Sequence, residues 1–272
     1  MHNKILIFTD LDGTLLDHHT YQTDAADDTI AQLKSKNIPI IPNTSKTRDE
    51  LLLIREALQL DTPFISENGA AVYIPVNYFK TQPQGTELQE GFWVKAFSRP
   101  TAFWLSLLTQ EAQQFSADFC GFSQMSAQQL ADLTGLSLAD ATLAKRRQYG
   151  EPVNWLGSQQ AKQDFIKHMH QLGANVLEGG RFLHISGNSD KGQAQTWLAQ
   201  QYKINQPDLT LTTIALGDSH NDVAMLEAAD IAVLVRSPAH DFPALQKEND
   251  IYKSSEYGPA GWAECLQKII FK

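Results

Sequence analysis

Cysteine is scarce in this 272-residue chain: Cys120 and Cys265 stand far apart, and neither has Cys-x-x-Cys spacing. That arithmetic leaves no disulfide framework and no thiolate metal site, so buried or idle thiols are expected. No apolar run approaches the ~20 residues that span a bilayer, so no membrane partner is expected. Positive charge is also in short supply, with 22 Lys and Arg against 31 Asp and Glu and a formal net charge of -9. Nucleic acid demands a basic face, which this balance argues against. An anionic small molecule would instead need a locally positive cleft inside an acidic protein. No internal repeat or low-complexity tract is present, and Met1-His2-Asn3-Lys4 leads directly into an apolar run. A cytoplasmic protein is the expectation.

What the chain does have is ordinary globular composition, 42% hydrophobic and 19% charged, at a length beyond what one core usually supports. One large or two smaller domains are expected. Ile5-Leu6-Ile7-Phe8 is an apolar run that ends in Thr9-Asp10-Leu11-Asp12-Gly13-Thr14. Such a run predicts a short strand buried on both faces at the centre of a parallel sheet. Asp10 then lies at the strand's carboxyl end, where ligands bind in open α/β sheets. Two acids so close repel unless a cation lies between them, and a hard cation with oxygen ligands, Mg2+ first, answers that need. The competing reading is a surface turn in which Asp10 and Asp12 cap backbone amides. Gly13 allows a sharp turn and a close backbone approach to a ligand.

The apolar spacing predicts a helix over 24–36, a strand at 38–42, a helix after Thr47 with a Thr47/Glu50 capping box, and a third strand at 64–66. Strand and helix in alternation predict right-handed crossovers and a parallel sheet. The pattern then breaks. Helical stretches near 101–115, 126–134 and 137–147 are followed by a strand at 153–156, a helix at 159–172, and a hairpin of 175–177 with 182–185 around Glu178-Gly179-Gly180-Arg181. The alternation resumes with a helix at 191–202, a strand at 212–216, a helix at 221–229 and a strand at 231–235. The expected division is therefore a core of 1–82 and 187–272 and an inserted domain of 83–186.

A second acidic cluster, Gly217-Asp218-Ser219-His220-Asn221-Asp222, follows the strand at 212–216. Asp218 joins Asp10 and Asp12 at strand ends, a set suited to Mg2+; Asp222, at a helix entry, is equally a cap. Thr44, before a helix, and Lys191 could hold a phosphate oxygen. Taken singly, an ST-turn and a solvated lysine explain them as well.

Asp-x-Asp-Gly-Thr (Asp10 to Thr14), a strand-end Thr (Thr44), Lys-Gly (Lys191-Gly192) and Gly-Asp-x-x-Asn-Asp (Gly217 to Asp222) occur in the order of the four motifs of the haloacid dehalogenase superfamily, which the chain resembles. The large insertion is similar to that superfamily's type IIB cap. Asn43-Thr44-Ser45-Lys46-Thr47, Ser66-Glu67-Asn68-Gly69-Ala70, Leu133-Thr134-Gly135-Leu136-Ser137 and Gly258-Pro259-Ala260-Gly261-Trp262 look most like the mannosyl-3-phosphoglycerate phosphatases within that branch.

The resemblance implies an α/β fold with a dehalogenase-like Rossmannoid parallel-sheet core and an inserted α+β cap of C2B type. It implies a Mg-dependent phosphatase with Asp10 as nucleophile, Asp12 as acid and base, and Thr44 and Lys191 on the transferring phosphoryl group. Asp10, the carbonyl of Asp12, and Asp218 would hold the metal, with Asp222 and Asn221 beside them. A phosphorylated sugar acid is the expected partner, touched by Gly13, Ser45, Lys46, Glu67, Asn68, Arg147 and Arg181, with Lys145, Arg146 and His184 as neighbours. A phosphomannomutase-like isomerase, a Cof-like sugar phosphatase and a noncatalytic phosphosugar binder are the alternatives. A monomer or weak homo-oligomer is expected.

Overall fold

The expected strand at the centre of the chain's architecture is β1 (His2–Thr9), in a computed structural model that describes residues 2–179 and 181–271. The strands that follow are β2 (Ile40–Pro42), β3 (Phe64–Ser66), β4 (Ala71–Pro75), β5 (Glu87–Gln89), β6 (Phe92–Ala96), β7 (Phe119–Gly121), β8 (Glu151–Trp155), β9 (Asn175–Glu178), β10 (Leu183–Ser186), β11 (Leu209–Gly217), β12 (Ile231–Arg236) and β13 (Ile251–Tyr257). The α-helices are α1 (Asp27–Ser35), α2 (Arg48–Ala57), α3 (Thr101–Glu111), α4 (Ala127–Thr134), α5 (Leu138–Ala144), α6 (Gln159–Gln171), α7 (Lys191–Asn205), α8 (Val223–Ala228) and α9 (Gly258–Ile270). They fall into two units. One comprises residues up to Thr44, Leu60–Lys95 and those from Asp190 onward; the other comprises Ser45–Gln59 and Ala96–Ser189.

The first unit is built on a sheet ordered β13-β12-β11-β1-β2, whose neighbours all pair in parallel. Leu6, Ile7 and Phe8 of β1, Ile214 to Leu216 of β11 and Ala232 to Val235 of β12 are buried. Continuous apolar runs of this kind are what a sheet covered on both faces requires. Because the strands are parallel, their carboxyl ends share one edge. Thr9 of β1 lies opposite Leu216 and Pro42, so Asp10, Asp218 and Thr44 all emerge there.

The strand expected at 64–66 departs from this sheet. β2 stops after three residues at Pro42, which has no N–H to extend a ladder, and β3 meets its continuation only through a bridge between Asn43 and Ile65. β3 instead pairs antiparallel with β4 in a second sheet ordered β3-β4-β6-β5. β13 and α9 complete the unit. Pro259 starts α9, where its missing N–H has no cost, and Trp262 Nε1 donates to Thr9 Oγ1 at 3.0 Å, tying the helix to the end of β1.

The second unit has a sheet ordered β7-β8-β10-β9, antiparallel throughout. Alternate residues of its strands, Val153, Val176, Leu183 and Ile185, meet Trp104 and Leu108 of α3 and Phe165 and Met169 of α6. Each large apolar side chain buried in this way contributes about 1.5–3 kcal/mol. A smaller cluster joins Phe122, Met125, Leu130 and Ala141. β9 and β10 form the expected hairpin, with Gly180 of its turn outside the described residues. α2 belongs to this unit. Its capping box forms as expected, Thr47 N donating to Glu50 Oε2 at 2.8 Å and Glu50 N to Thr47 Oγ1 at 3.2 Å. Among the described residues, no helix is long and apolar enough to cross a membrane.

Candidate active site

The site starts from backbone pairing. Asp10 N donates to Leu216 O at 2.9 Å and Asn43 N to Thr9 O at 2.8 Å, which fixes the ends of β1, β11 and β2 side by side. Gly13, at φ +79°, turns the chain back; a Cβ there would lie 2.9 Å from Asp218 Oδ2, so only glycine fits. Thr14 Oγ1 donates to Asp218 Oδ1 at 3.1 Å.

Lys191 opens α7 behind the N-cap Asp190. Its neighbour Gly192 packs so closely on α8 that a Cβ would meet Ala224 O at 2.2 Å, and this contact brings the lysine inward. Lys191 Nζ is fully buried and donates to Asp10 Oδ1 at 2.7 Å and to Asp222 Oδ1 at 2.5 Å. Asp222 Oδ2 accepts from the backbone N–H groups of Asp218 and Ser219, both at 3.0 Å. Asp222 thus accepts at the entry to the 3-10 turn at 220–222 with one oxygen and from the lysine with the other.

Carboxylate oxygens of Asp10, Asp218 and Asp222 lie within 4.8 Å of one another, all three residues buried. Burial pushes the Asp10 carboxyl well above its usual range; Lys191 opposes this, while Asp222, Asp218 and Asp12 add to it. Burial, then Asp222, pushes Asp218 up to about 6. Burial acts to lower the Lys191 ammonium, but Asp10 and Asp222 outweigh it and hold the pKa above the ordinary value. Three carboxyl groups face one ammonium, and their mutual repulsion is among the causes that push Asp10 and Asp218 up. An all-oxygen donor set whose repulsion a cation would relieve fits a hard divalent ion.

Thr44 is buried at the end of β2, its N–H donating to Ile65 O (3.1 Å) and its carbonyl accepting from Asn68 N (2.9 Å). Glu67, Asn68 and Gly69 take φ values of +50°, +59° and +87° in succession. Such strain in non-glycine residues persists only where the surroundings hold it; here Asn221 Nδ2 donates to Asn68 Oδ1 at 3.0 Å. Asp12 is half-buried beside Gly13.

Ser45 and Lys46 lie in the second unit, with Lys46 3.8 Å from Glu50. Arg147 Nη1 donates to Ser45 O at 3.1 Å. Arg181 Nη1 donates to the carbonyls of Leu133 and Thr134 at the end of α4, and Arg146 pairs with Asp49 at 3.0 Å. One further residue reaches the acidic cluster without any sequence signal: His240, in the loop after β12, has Nε2 3.4 Å from Asp218 Oδ2. A lone histidine in a loop carries no spacing to betray it.

The chain belongs to the haloacid dehalogenase-like hydrolases, whose family model matches residues 7–87 and 156–242. It is 37% identical over 269 residues, 99% of this chain and 98% of the relative, to a glucosyl-3-phosphoglycerate/mannosyl-3-phosphoglycerate phosphatase of Methanococcoides burtonii. A protein of the same name from Persephonella marina is 32% identical over 98% of this chain and 97% of its own length. Among solved structures, a phosphatase of the haloalkanoate superfamily from Bacteroides thetaiotaomicron shares the fold with a TM-score of 0.67, at 17% identity, covering 98% of this chain and 95% of that one.

Proposed function

We propose that the chain, a phosphatase of haloacid dehalogenase type, releases phosphate from a glycosyl-3-phosphoglycerate, with mannosyl or glucosyl as the glycosyl group. The observation that carries this reading is the convergence of Asp10, Lys191, Asp218 and Asp222 at the carboxyl edge of the parallel sheet. The relatives named for glycosyl-3-phosphoglycerate support the substrate class.

The chemistry follows from charge. A phosphate monoester dianion repels nucleophiles, so its oxygens must be neutralised while the reaction is split into two displacements. Lys191 opposes the upward push of burial on the Asp10 carboxyl and, at 2.7 Å, lends it a cation. The Asp10 carboxylate attacks phosphorus, the ester P–O bond breaks, and Asp12 gives its proton to the departing oxygen of the glycerate. Water then attacks the aspartyl-phosphate, its proton passing to Asp12, and Asp10 is restored as phosphate leaves. Thr44 donates its hydroxyl to the transferring phosphoryl group, and Lys191 shares its charge with it.

Mg2+, held by Asp10, the Asp12 carbonyl and Asp218 with Asp222 and Asn221 beside them, would supply charge neutralisation of the phosphoryl oxygens. Glu67 and Asn68 would hydrogen-bond sugar hydroxyls. Residues 83–186 would serve as the cap domain that reads the leaving group.

The test is phosphate release, with Mg2+ present, from mannosyl- and glucosyl-3-phosphoglycerate beside a panel of hexose phosphates. Release is expected at least tenfold faster, as about 1.4 kcal/mol of preference would give, from one of the glycerates. Preference for a hexose phosphate would overturn the substrate reading, and bisphosphate-dependent isomerisation without phosphate release would make the protein a mutase.

A further inference from the structure

We propose that the cavity at the ends of β12 and β13, within the first unit, receives the carboxylate of the substrate and that Arg236 reads it. The proposal rests on the reading of the substrate as a phosphorylated sugar acid. The cavity measures about 480 Å³ and is lined by Arg236, Ser237, His240 and Tyr257 among others.

Its place follows from the sheet. β11, β12 and β13 are parallel neighbours, with Gly217 opposite Leu234, so Arg236 emerges at the same edge as Asp218. His240 belongs to the cavity wall and also stands 3.4 Å from Asp218 Oδ2, so the cavity is contiguous with the acidic cluster. The ring is oriented by Nδ1, which donates to Asp241 O at 3.2 Å. On the other side Gly258, next to Tyr257, approaches the carbonyl of Gly13. A group bound here therefore lies at the same sheet edge as one bound at Asp10, two strands along, or about 10 Å at the spacing of neighbouring strands.

The chemistry of the wall suits a carboxylate. The Arg236 guanidinium lies over the Tyr257 ring, 4.8 Å from its centroid, and Nη1 gives one bond to Ser255 O at 3.3 Å. A guanidinium carries five N–H donors in a fork that matches a carboxylate, far more than one carbonyl uses. Lys253 lies 5.3 Å over the ring of Phe242, which belongs to the wall, and adds a second cation on this side of the sheet. In a protein with a net charge of -9, Arg236 sets a cation in a recess that adjoins the acidic cluster. The second unit's Arg146 and Arg181 are already engaged by Asp49 and by the end of α4.

The experiment compares wild type, Arg236→Met, Arg236→Gln and Arg236→Lys on glucosyl-3-phosphoglycerate and on p-nitrophenyl phosphate, which has no carboxylate, with thermal unfolding as a check on folding. Loss of a charge-assisted contact predicts a rise in KM for the sugar acid of about 10- to 100-fold for Met and Gln, and a smaller one for Lys. The effect on p-nitrophenyl phosphate should be at least tenfold smaller, a full decade of discrimination on that scale. Equal effects on both substrates, or none on the sugar acid, would overturn the assignment of Arg236 while leaving the proposed function standing. A wild-type protein that cleaves p-nitrophenyl phosphate but neither glycerate ester would remove the substrate reading and this one with it.

Discussion

The Lys191 ammonium donates to Asp222 Oδ1 at 2.5 Å with neither side chain exposed to solvent. A buried pair of this kind is held by geometry, and removing one partner strands the other charge. Lys191→Met is therefore expected to destabilise the metal-free protein by about 3–5 kcal/mol and to abolish hydrolysis. Since Asp10, already pushed up by burial, then loses the ammonium that opposes this, it must take up a proton to stay buried, and the loss should be larger at pH 8 than at pH 5. Urea unfolding at the two pH values checks this, and a loss below about 1 kcal/mol, the scale of exposed pairs, would contradict it.

Asp10→Asn is expected to lower phosphate release by about a thousandfold or more, the scale seen when a nucleophile is removed. It should not lower stability much, because burial already opposes the charge of that carboxyl and Lys191 keeps Asp222 as a partner. Steady-state kinetics with a circular dichroism melt will show it; substantial residual turnover would take the nucleophile role away from Asp10.

Asp218→Asn reduces the residual charge of the cluster, so the variant should need at least about tenfold more Mg2+ for the same effect. Wild type is expected to gain about 2.7 kcal/mol of stability at a metal concentration a hundredfold above Kd, and EDTA should remove that gain. Thermal unfolding against Mg2+ concentration gives both numbers. Equal metal dependence in the two proteins would exclude Asp218 as a ligand.

In the second unit, His184 Nδ1 is buried and has no hydrogen-bond partner among the described residues. Burial, reinforced by the charge of Arg147, pulls its pKa down to about 3. The unfolded chain takes up this proton below about pH 6.5 and the native one does not, so His184 contributes stability above that pH and loses it as the solution is acidified. Between pH 6.5 and 5, wild type should therefore fall in stability more steeply than His184→Gln, by up to about 1.4 kcal/mol per pH unit. Urea unfolding across that range would reveal parallel slopes if the imidazole were solvated.

Much of this was legible in the residues because the signals were local. The apolar run Leu6 to Phe8 marks a strand buried on both faces whatever Asp10 behind it does, and the Thr47/Glu50 box closes within one helical turn. What could not be read is set by distant partners. β3 carries the same apolar signature as a parallel strand, yet Pro42 ends the ladder it would have joined. β13, with Lys253, Ser254, Ser255 and Glu256, is a half-solvated edge strand whose polarity hides it. Glu67 and Asn68 looked like any turn before Gly69; their left-handed backbone and the bond from Asn221 come from the fold. His240 meets Asp218 only because β12 neighbours β11.

The chain crosses between its two units at Thr44/Ser45, Gln59/Leu60, Lys95/Ala96 and Ser189/Asp190. The second unit is consequently not a single cassette. Grafting 96–189 from a relative onto this protein would separate Arg147 from the Ser45 carbonyl it was matched to and Arg146 from its Asp49. An exchange of this unit between relatives must therefore move 45–59 along with it, which couples the inheritance of the second motif's trailing helix to that of the larger segment.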